Sequence, residues 1–492
     1  MKKKILLSCI VISLFATSCN KWLDVKPANQ IAATEIFKSY SGFCDALNGC
    51  YIKLKNRDLY GEKLTMTHIE SIAQLWRIDQ TNFPADYELM NFNYNGDYAK
   101  AVINNIYTGL YNVIAHTNLI IKNIEENGSV IPDPENRAMI EGEAYAIRAF
   151  CHFDILRLFG QIPKNATVQV SLPYAEAVSI TNYPPYYNYD QFVEKIEADL
   201  NKAELLLKNN DPIFKYTFEQ LNTFNSDQTD DFKSYRQNHF NYWAVKALQA
   251  RLYLYSGNTT KAYTIAKSII NAKGVDSNAL ISLSGATDIP AGYFACPSEC
   301  LMMLNAYSIM SYSPEVLGTG LSFSTFNKCY VISPEQLNEL FEGQIIASNN
   351  RYNYVWSHST LDERTLKKYF YETGSSNDSY INMTKHQVIP LIRLSEIYLI
   401  AMETTPDLVE ANNLWKQYQQ SHNVLITENV FTSIYEVKEV VLDEYRREFY
   451  GEGQMFYTYK RLGSPSMLWR SNEVSESDYI VPLPETEYNP NN

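Results

Sequence analysis

Apolar side chains recur at helical spacing along most of this chain. Between Asn104 and Ile124 they fall at Ile106, Leu110, Val113, Ile114 and Ile120, which predicts an amphipathic helix. A second helix is predicted over Arg137–Phe159, stopped by Gly160 with Pro163 just beyond. A third spans Tyr189–Leu207, with Phe192, Ile196, Leu200 and Ala203 on one face. Phe240–Tyr255 ends at Gly257 and Thr260–Ile270 follows at once, a helical hairpin. Ile392–Met402 and Leu408–Tyr418 form a similar pair across Thr404, Thr405 and Pro406, and Tyr435–Phe449 is the last long helix.

The hairpin Phe240–Ile270 places small residues at Ala244, Ala247, Ala250, Gly257 and Ala262. Small side chains where two helices cross are the packing logic of tetratricopeptide repeats, which bury a shared core once at least three pairs stack. The spacing between pairs is irregular here, so the expected architecture is mainly α, with degenerate helical pairs. Three stretches break the period, near 56–97, 271–330 and 351–385. Trp76, Tyr307, Tyr312, Trp356 and Tyr380 fall within them. They are too aromatic for simple disorder, and loops this long in a compact body tend to carry function.

The first residues read differently. Lys2, Lys3 and Lys4 precede a run from Ile5 to Phe15 that is almost entirely apolar, followed by Ala16, Thr17, Ser18 and Cys19. This is a secretory leader over 1–18, with a cysteine where a bacterial lipoprotein carries its acyl chains. Lipidation at Cys19 then tethers the mature chain to a membrane; a secreted protein with an incidental Cys19 is the alternative. No other segment has the ~20 mainly apolar residues of a membrane span. The net charge of −13 opposes nucleic-acid binding, which relies on cations neutralising phosphates. Cys44, Cys50, Cys151, Cys296, Cys300 and Cys329 are too sparse for a disulfide framework. Buried free thiols are expected, although Cys296 and Cys300 can close a small loop if oxidised.

No catalytic or metal signature emerges. H-E-x-x-H, G-x-S-x-G and a phosphate-binding loop are absent, and the seven histidines are scattered. Glu444 and Glu448 are four apart and share a helix face, as the two acids of a glycosidase could, but Arg446 and Arg447 between them favour a structural ion cluster. Glu141, Arg148, Arg393, Glu396 and Arg446 are read in the same way, as structural ion pairs. No catalytic residue, metal ligand or cofactor is assigned.

Six segments together resemble the SusD/RagB family of outer-membrane lipoproteins. They are Cys19 with Trp22, Leu23, Asp24 and Pro27; Glu141–Pro163; the hairpin Ala244–Ile270; Ile389–Ala401; Glu444–Gly453; and the closing Val481–Pro490. The resemblance implies one SusD-like domain over 19–492, with tetratricopeptide-like pairs supporting an irregular binding face. It implies a non-catalytic lipoprotein of the outer membrane, facing outward. Such a protein captures glycans, or in some relatives peptides, and passes them to a TonB-dependent (SusC-like) receptor. After Gly453 the chain departs from the family pattern, and the same helix start with altered packing is expected.

Flat aromatic rings stack on sugar C–H faces, while Asn, Asp and Arg bond the hydroxyls. The candidate ligand residues are therefore Trp76 with Arg77 and Asp79, then Tyr307 with Tyr312, then Trp356. Each aromatic has a bland alternative as the local core beneath a loop. A membrane-tethered glycoside hydrolase and a tetratricopeptide-type docking scaffold are the competing functions.

Overall fold

The computed structural model describes residues 35–178, 183–223, 230–318, 329–358, 363–370 and 385–488. The leader, Cys19, Asp24, Gly320, Tyr371 and Tyr380 lie outside the described residues. The first part of the chain forms α1 (Tyr40–Leu54), α2 (His68–Ile72), α3 (Pro84–Met90), α4 (Asp97–Asn127), α5 (Pro134–Phe159) and α6 (Tyr189–Leu207). It continues through α7 (Tyr242–Tyr255), α8 (Thr259–Ile270), α9 (Ile309–Leu317) and α10 (Pro334–Leu340). The last helices are α11 (Leu394–Thr404), α12 (Leu408–Gln420), α13 (Ile434–Glu448) and α14 (Met455–Leu462). Four strands make two small antiparallel pairs: β1 (Leu172–Pro173) with β2 (Tyr186–Tyr187), and β3 (Cys300–Asn305) with β4 (Val388–Arg393).

The helices stack mostly in chain order. α4 packs on α5, α5 on α6, α6 on α7, and α7 on α8; α8 then meets α11, which packs on α12 and α13. This is the mainly helical, paired architecture expected from the sequence. α4 buries Ile106, Leu110, Val113, Ile114, Ile120 and Ile124 along one stripe. α5 is different, because it is buried on nearly every face, from Met139 to Phe159. Its neighbours explain this: α4 covers one side and α6 the other. Asp133 caps α5 by accepting from the Glu135 amide, and Pro134 supplies the preset first-turn φ. α6 starts with a reciprocal capping box between Asn188 and Gln191.

Gly142 sits where α5 meets α6. A Cβ at Gly142 would lie 2.9 Å from Leu207 Cγ and 3.2 Å from Leu206 Cβ. The Gly in the Glu141–Glu143 stretch is thus a requirement of close helix approach. Gly453 answers a second need. It holds φ +73°, and a Cβ there would lie 2.0 Å from the Leu64 carbonyl oxygen, so only glycine fits.

The structure corrects the predicted helix over Ile392–Met402. The chain stays extended as β4 through Arg393, and α11 begins at Leu394. Pairing with β3 is the reason: Ile392 lies opposite Met302 and Arg393 opposite Cys300, which holds both extended. A two-stranded sheet has free edges, so Pro390 is tolerated within it. β3, which lies inside the predicted 271–330 insertion, pairs Cys300 with Arg393 and Asn305 with Val388 across an irregular register. The 56–97 insertion likewise contains α2 and α3. α14 begins at Met455, just past Gly453, where a helix start was expected.

Candidate functional site

The strand pair β3–β4 is pinned from below by a buried ionic lattice. Arg393, at the end of β4, donates to Glu299 Oε1 and Glu448 Oε1 at 2.6 Å each, and to both Glu452 oxygens at 2.7 and 3.0 Å. Lys368 Nζ donates to Glu452 at 2.5 Å. Arg351 donates to Glu444 at 2.8 Å and Glu448 at 2.9 Å, and Arg447 to Glu444 at 2.7 Å. Burial resists ionisation of Glu448, but Arg393, His422 and Arg351 together hold its carboxyl well below the usual range. A second lattice centres on Arg236, fully buried, which donates to Glu143 at 2.6 Å and to both Asp211 oxygens at 3.1 Å. Burial raises the Glu143 carboxyl, but Arg236 and then His239 outweigh it and bring it down to about 2.

Between these lattices lies a cleft of about 320 Å³, lined by Asn222, Tyr235, Gln237, Asn238, Ser298, Met303, Asn305, Lys385 and Gln387. Its floor is the open end of the β3–β4 pair. Gln237 crosses to it, donating to the Cys300 carbonyl at 2.6 Å and accepting from Asn222 at 2.6 Å. The Ser298 hydroxyl and amide both donate to Asp288 at 2.9 Å. The Asn238 Oδ1 atom is buried and has no partner among the described residues. Tyr235 stands at the rim, 47% exposed, with φ +52°. A bulky residue in left-handed backbone stores strain that the surrounding fold must hold. Its amide is fixed by the Leu221 carbonyl at 2.8 Å. Pockets of this size accept small ligands or one end of a longer one, and amides beside an aromatic rim suit polyhydroxylated molecules.

The structure places the predicted site residues in three settings. Trp76 is buried, donates its indole N–H to the Met66 carbonyl at 2.9 Å, and meets Tyr450 edge-on at 5.0 Å. Trp356 is equally buried and meets the same Tyr450 at 4.9 Å. The expectation of two stacking platforms is therefore corrected. Both indoles are spent on one internal aromatic cluster, which Tyr330 completes. Tyr312 is also a packing residue, with its hydroxyl donated to the Gly61 carbonyl and Arg57 over its ring at 4.7 Å. Arg77 and Asp79 remain on the surface, but not as a pair: Arg77 pairs with Glu363, and Asp79 accepts from Thr81 and Asn82. Tyr307 alone keeps an open ring, 75% exposed, two residues past the cleft-lining Asn305.

Tyr235, Asn238, Lys385 and Gln387 were missed by sequence reasoning. Their segments are polar and lack period, which gives only a weak loop signal. Among the described residues no cluster of His, Cys, Asp and Glu is arranged to hold a metal ion. Cys44, Cys50, Cys151, Cys296, Cys300 and Cys329 are all free thiols. Burial pushes the Cys296 and Cys300 thiols well up, and Cys300 donates to the Cys296 carbonyl without bridging.

Residues 21–221 match the SusD-like family profile described as starch-binding associating with outer membrane. A SusD-like protein of Formosa agariphila, P2, is 28% identical over 205 residues, 41% of this chain and 38% of that relative. A SusD superfamily crystal structure from Bacteroides thetaiotaomicron superposes with a TM-score of 0.68 at 21% identity, over 92% of this chain and 98% of that one. Residues 21–221 thus resemble the SusD-like family, and the chain as a whole shares the fold of these structures. The SusD-like match to P2 spans about two-fifths of that relative's length. The SusD-like fold extends further, since the surface glycan-binding protein A of Bacteroides uniformis also superposes, with a TM-score of 0.67 at 16% identity, over 92% of this chain and 98% of that one.

Proposed function

We propose that this SusD-like protein binds glycans in the cleft between Tyr235, Asn238, Asn305 and Gln387. The observation that carries this reading is the lining itself: side-chain amides of Asn222, Gln237, Asn238, Asn305 and Gln387 around an exposed tyrosine. Amides bond equatorial hydroxyls in both directions, and the Tyr235 face covers the apolar side of a sugar ring. Bacteroides uniformis surface glycan-binding protein A, a structural neighbour, carries glycan binding in its name. Glu444 and Glu448, read from the sequence as a structural ion cluster and not a hydrolase pair, are both paired with buried arginines. Acylation of Cys19 would anchor the chain to the outer membrane, with more than one acyl chain needed for stable attachment. The bound glycan would pass to a TonB-dependent, SusC-like receptor.

Titration calorimetry with a panel of oligosaccharides and peptides tests the binding step. Saturable glycan binding that Tyr235→Ala and Asn238→Ala abolish is the expected result. Binding of peptides alone, or turnover of a polysaccharide by the purified protein, overturns it. Co-purification with a TonB-dependent barrel from detergent extracts tests the partnership.

A further inference from the structure

The charge around the cleft runs against the charge of the chain. The protein carries a net charge of −13, yet no carboxylate lines the cleft among the described residues. Acids bonded to the lining segments or to their neighbours in the chain are occupied. Asp288 accepts from Ser298 and Ser284, and Glu143 and Asp211 are held by Arg236. Two lysines border the cleft. Lys385 lines it, with its ammonium 4.9 Å from the Tyr293 ring centroid. Lys55 lies beside this lining, its ammonium donating to the carbonyl of the cleft-lining Asn305 at 3.0 Å. Among the described residues, neither lysine forms an ion pair.

Resting on the glycan-binding reading above, we propose that the cleft selects anionic oligosaccharides, whose uronate carboxylate or sulfate ester is met by Lys385 and Lys55. A cation on a ring face next to a partly enclosed cleft is screened less than one on open surface, so it discriminates by charge. The absence of carboxylates from the lining among the described residues removes a repulsion that an acidic sugar would meet elsewhere on this surface. Amides then read hydroxyls as they would in a neutral glycan, and the lysines add the charge filter.

The test compares hexasaccharides of one length in three forms: a neutral β-glucan, an oligogalacturonate and a sulfated galactan. At low salt, at least one acidic form is expected to bind about tenfold tighter than the neutral one, and the gap is expected to close at about 0.5 M NaCl. Which acidic form binds distinguishes carboxylate from sulfate. Lys385→Gln should remove most of the preference, weakening acidic binding far more than neutral binding, while Lys385→Arg should keep it, with unchanged melting temperature in both. Equal affinity for neutral and acidic forms, with Tyr235→Ala abolishing both, overturns the charge selection and leaves the glycan reading standing. Equal loss of both forms in Lys385→Gln also overturns it. Failure of every oligosaccharide to bind overturns the glycan reading itself.

Discussion

Arg148 and Asp199 form a two-pronged buried pair, Nε to Oδ2 at 2.7 Å and Nη2 to Oδ1 at 2.6 Å, which joins α5 to α6. Asn118 accepts a further guanidinium hydrogen at 2.9 Å, and Tyr174 donates its hydroxyl to Asp199 at 2.7 Å. Removing one partner leaves the other charge buried, at a cost of ~3–5 kcal/mol. Arg148→Ala is expected to lower the melting temperature sharply, and Arg148→Lys to recover only part of the loss, because an ammonium cannot span both oxygens. Calorimetric melting of the variants checks this. Intact stability with lost ligand binding would show that the pair serves the site.

Trp76 and Trp356 lean on the same Tyr450 ring. Each Trp→Ala change is expected to cost ~3–5 kcal/mol as a cavity mutation. The double variant should lose less than the sum, since the two share a neighbour. Chemical denaturation measures both. Glycan affinity of the folded fraction should match the unmodified protein, and a selective loss of affinity would return these rings to the binding site.

Glu70 is fully buried, and its Oε1 accepts from the Gly453 amide at 2.7 Å. Burial raises its pKa from 4.5 to about 8, more than the Gly453 hydrogen bond and Lys368 pull it down. A carboxyl whose pKa is raised by folding stabilises fully below its unfolded pKa, and that stability is lost as pH rises through the folded value. The window here runs from pH 4.5 to about 8. Glu70→Gln keeps the acceptor oxygen and cannot ionise. It should match the unmodified protein near pH 4.5 and exceed its stability at pH 8 by an order of ~2–4 kcal/mol. Parallel melts across this range would refute the assignment if the two curves stay superimposed.

Gly142→Ala separates local propensity from packing. In an exposed helix the change is worth ~1 kcal/mol in favour of alanine. Here the new methyl would meet Leu207 Cγ at 2.9 Å on α6, and overpacking costs ~1–3 kcal/mol. The melting temperature is therefore expected to fall. A rise would mean that α5 and α6 separate easily.

Much of the scaffold was legible in the pattern of apolar residues. α6 runs from Tyr189 to Leu207 as its spacing predicts, and α5 and α8 differ from prediction only at their first turns. α1 was missed: Phe43, Leu47 and Leu54 pack on α4, but Cys44, Asn48 and Gly49 between them blur the stripe. Arg393 and Glu396 were correctly read as buried ion-pair members, although their partners, Glu299, Glu448 and Glu452 for the first and Arg251 for the second, were not predicted. Arg446 pairs with Asp443 instead of the glutamates flanking it. An aromatic residue in a polar loop has the same signature whether it faces solvent or fills the space beneath, and that ambiguity cost the site its two tryptophans.

The sequence by itself determined the helical class and the helix stops at glycine and proline, because these follow from local backbone sterics and short-range periodicity. Only the tertiary structure decided which aromatic rings stay open and which charges are spent internally. Trp76, Trp356 and Tyr450 come together from three distant segments. The cleft likewise forms where β3 meets β4, more than eighty residues apart in the chain. Burial and partnering are long-range properties, set by contacts that no local pattern encodes.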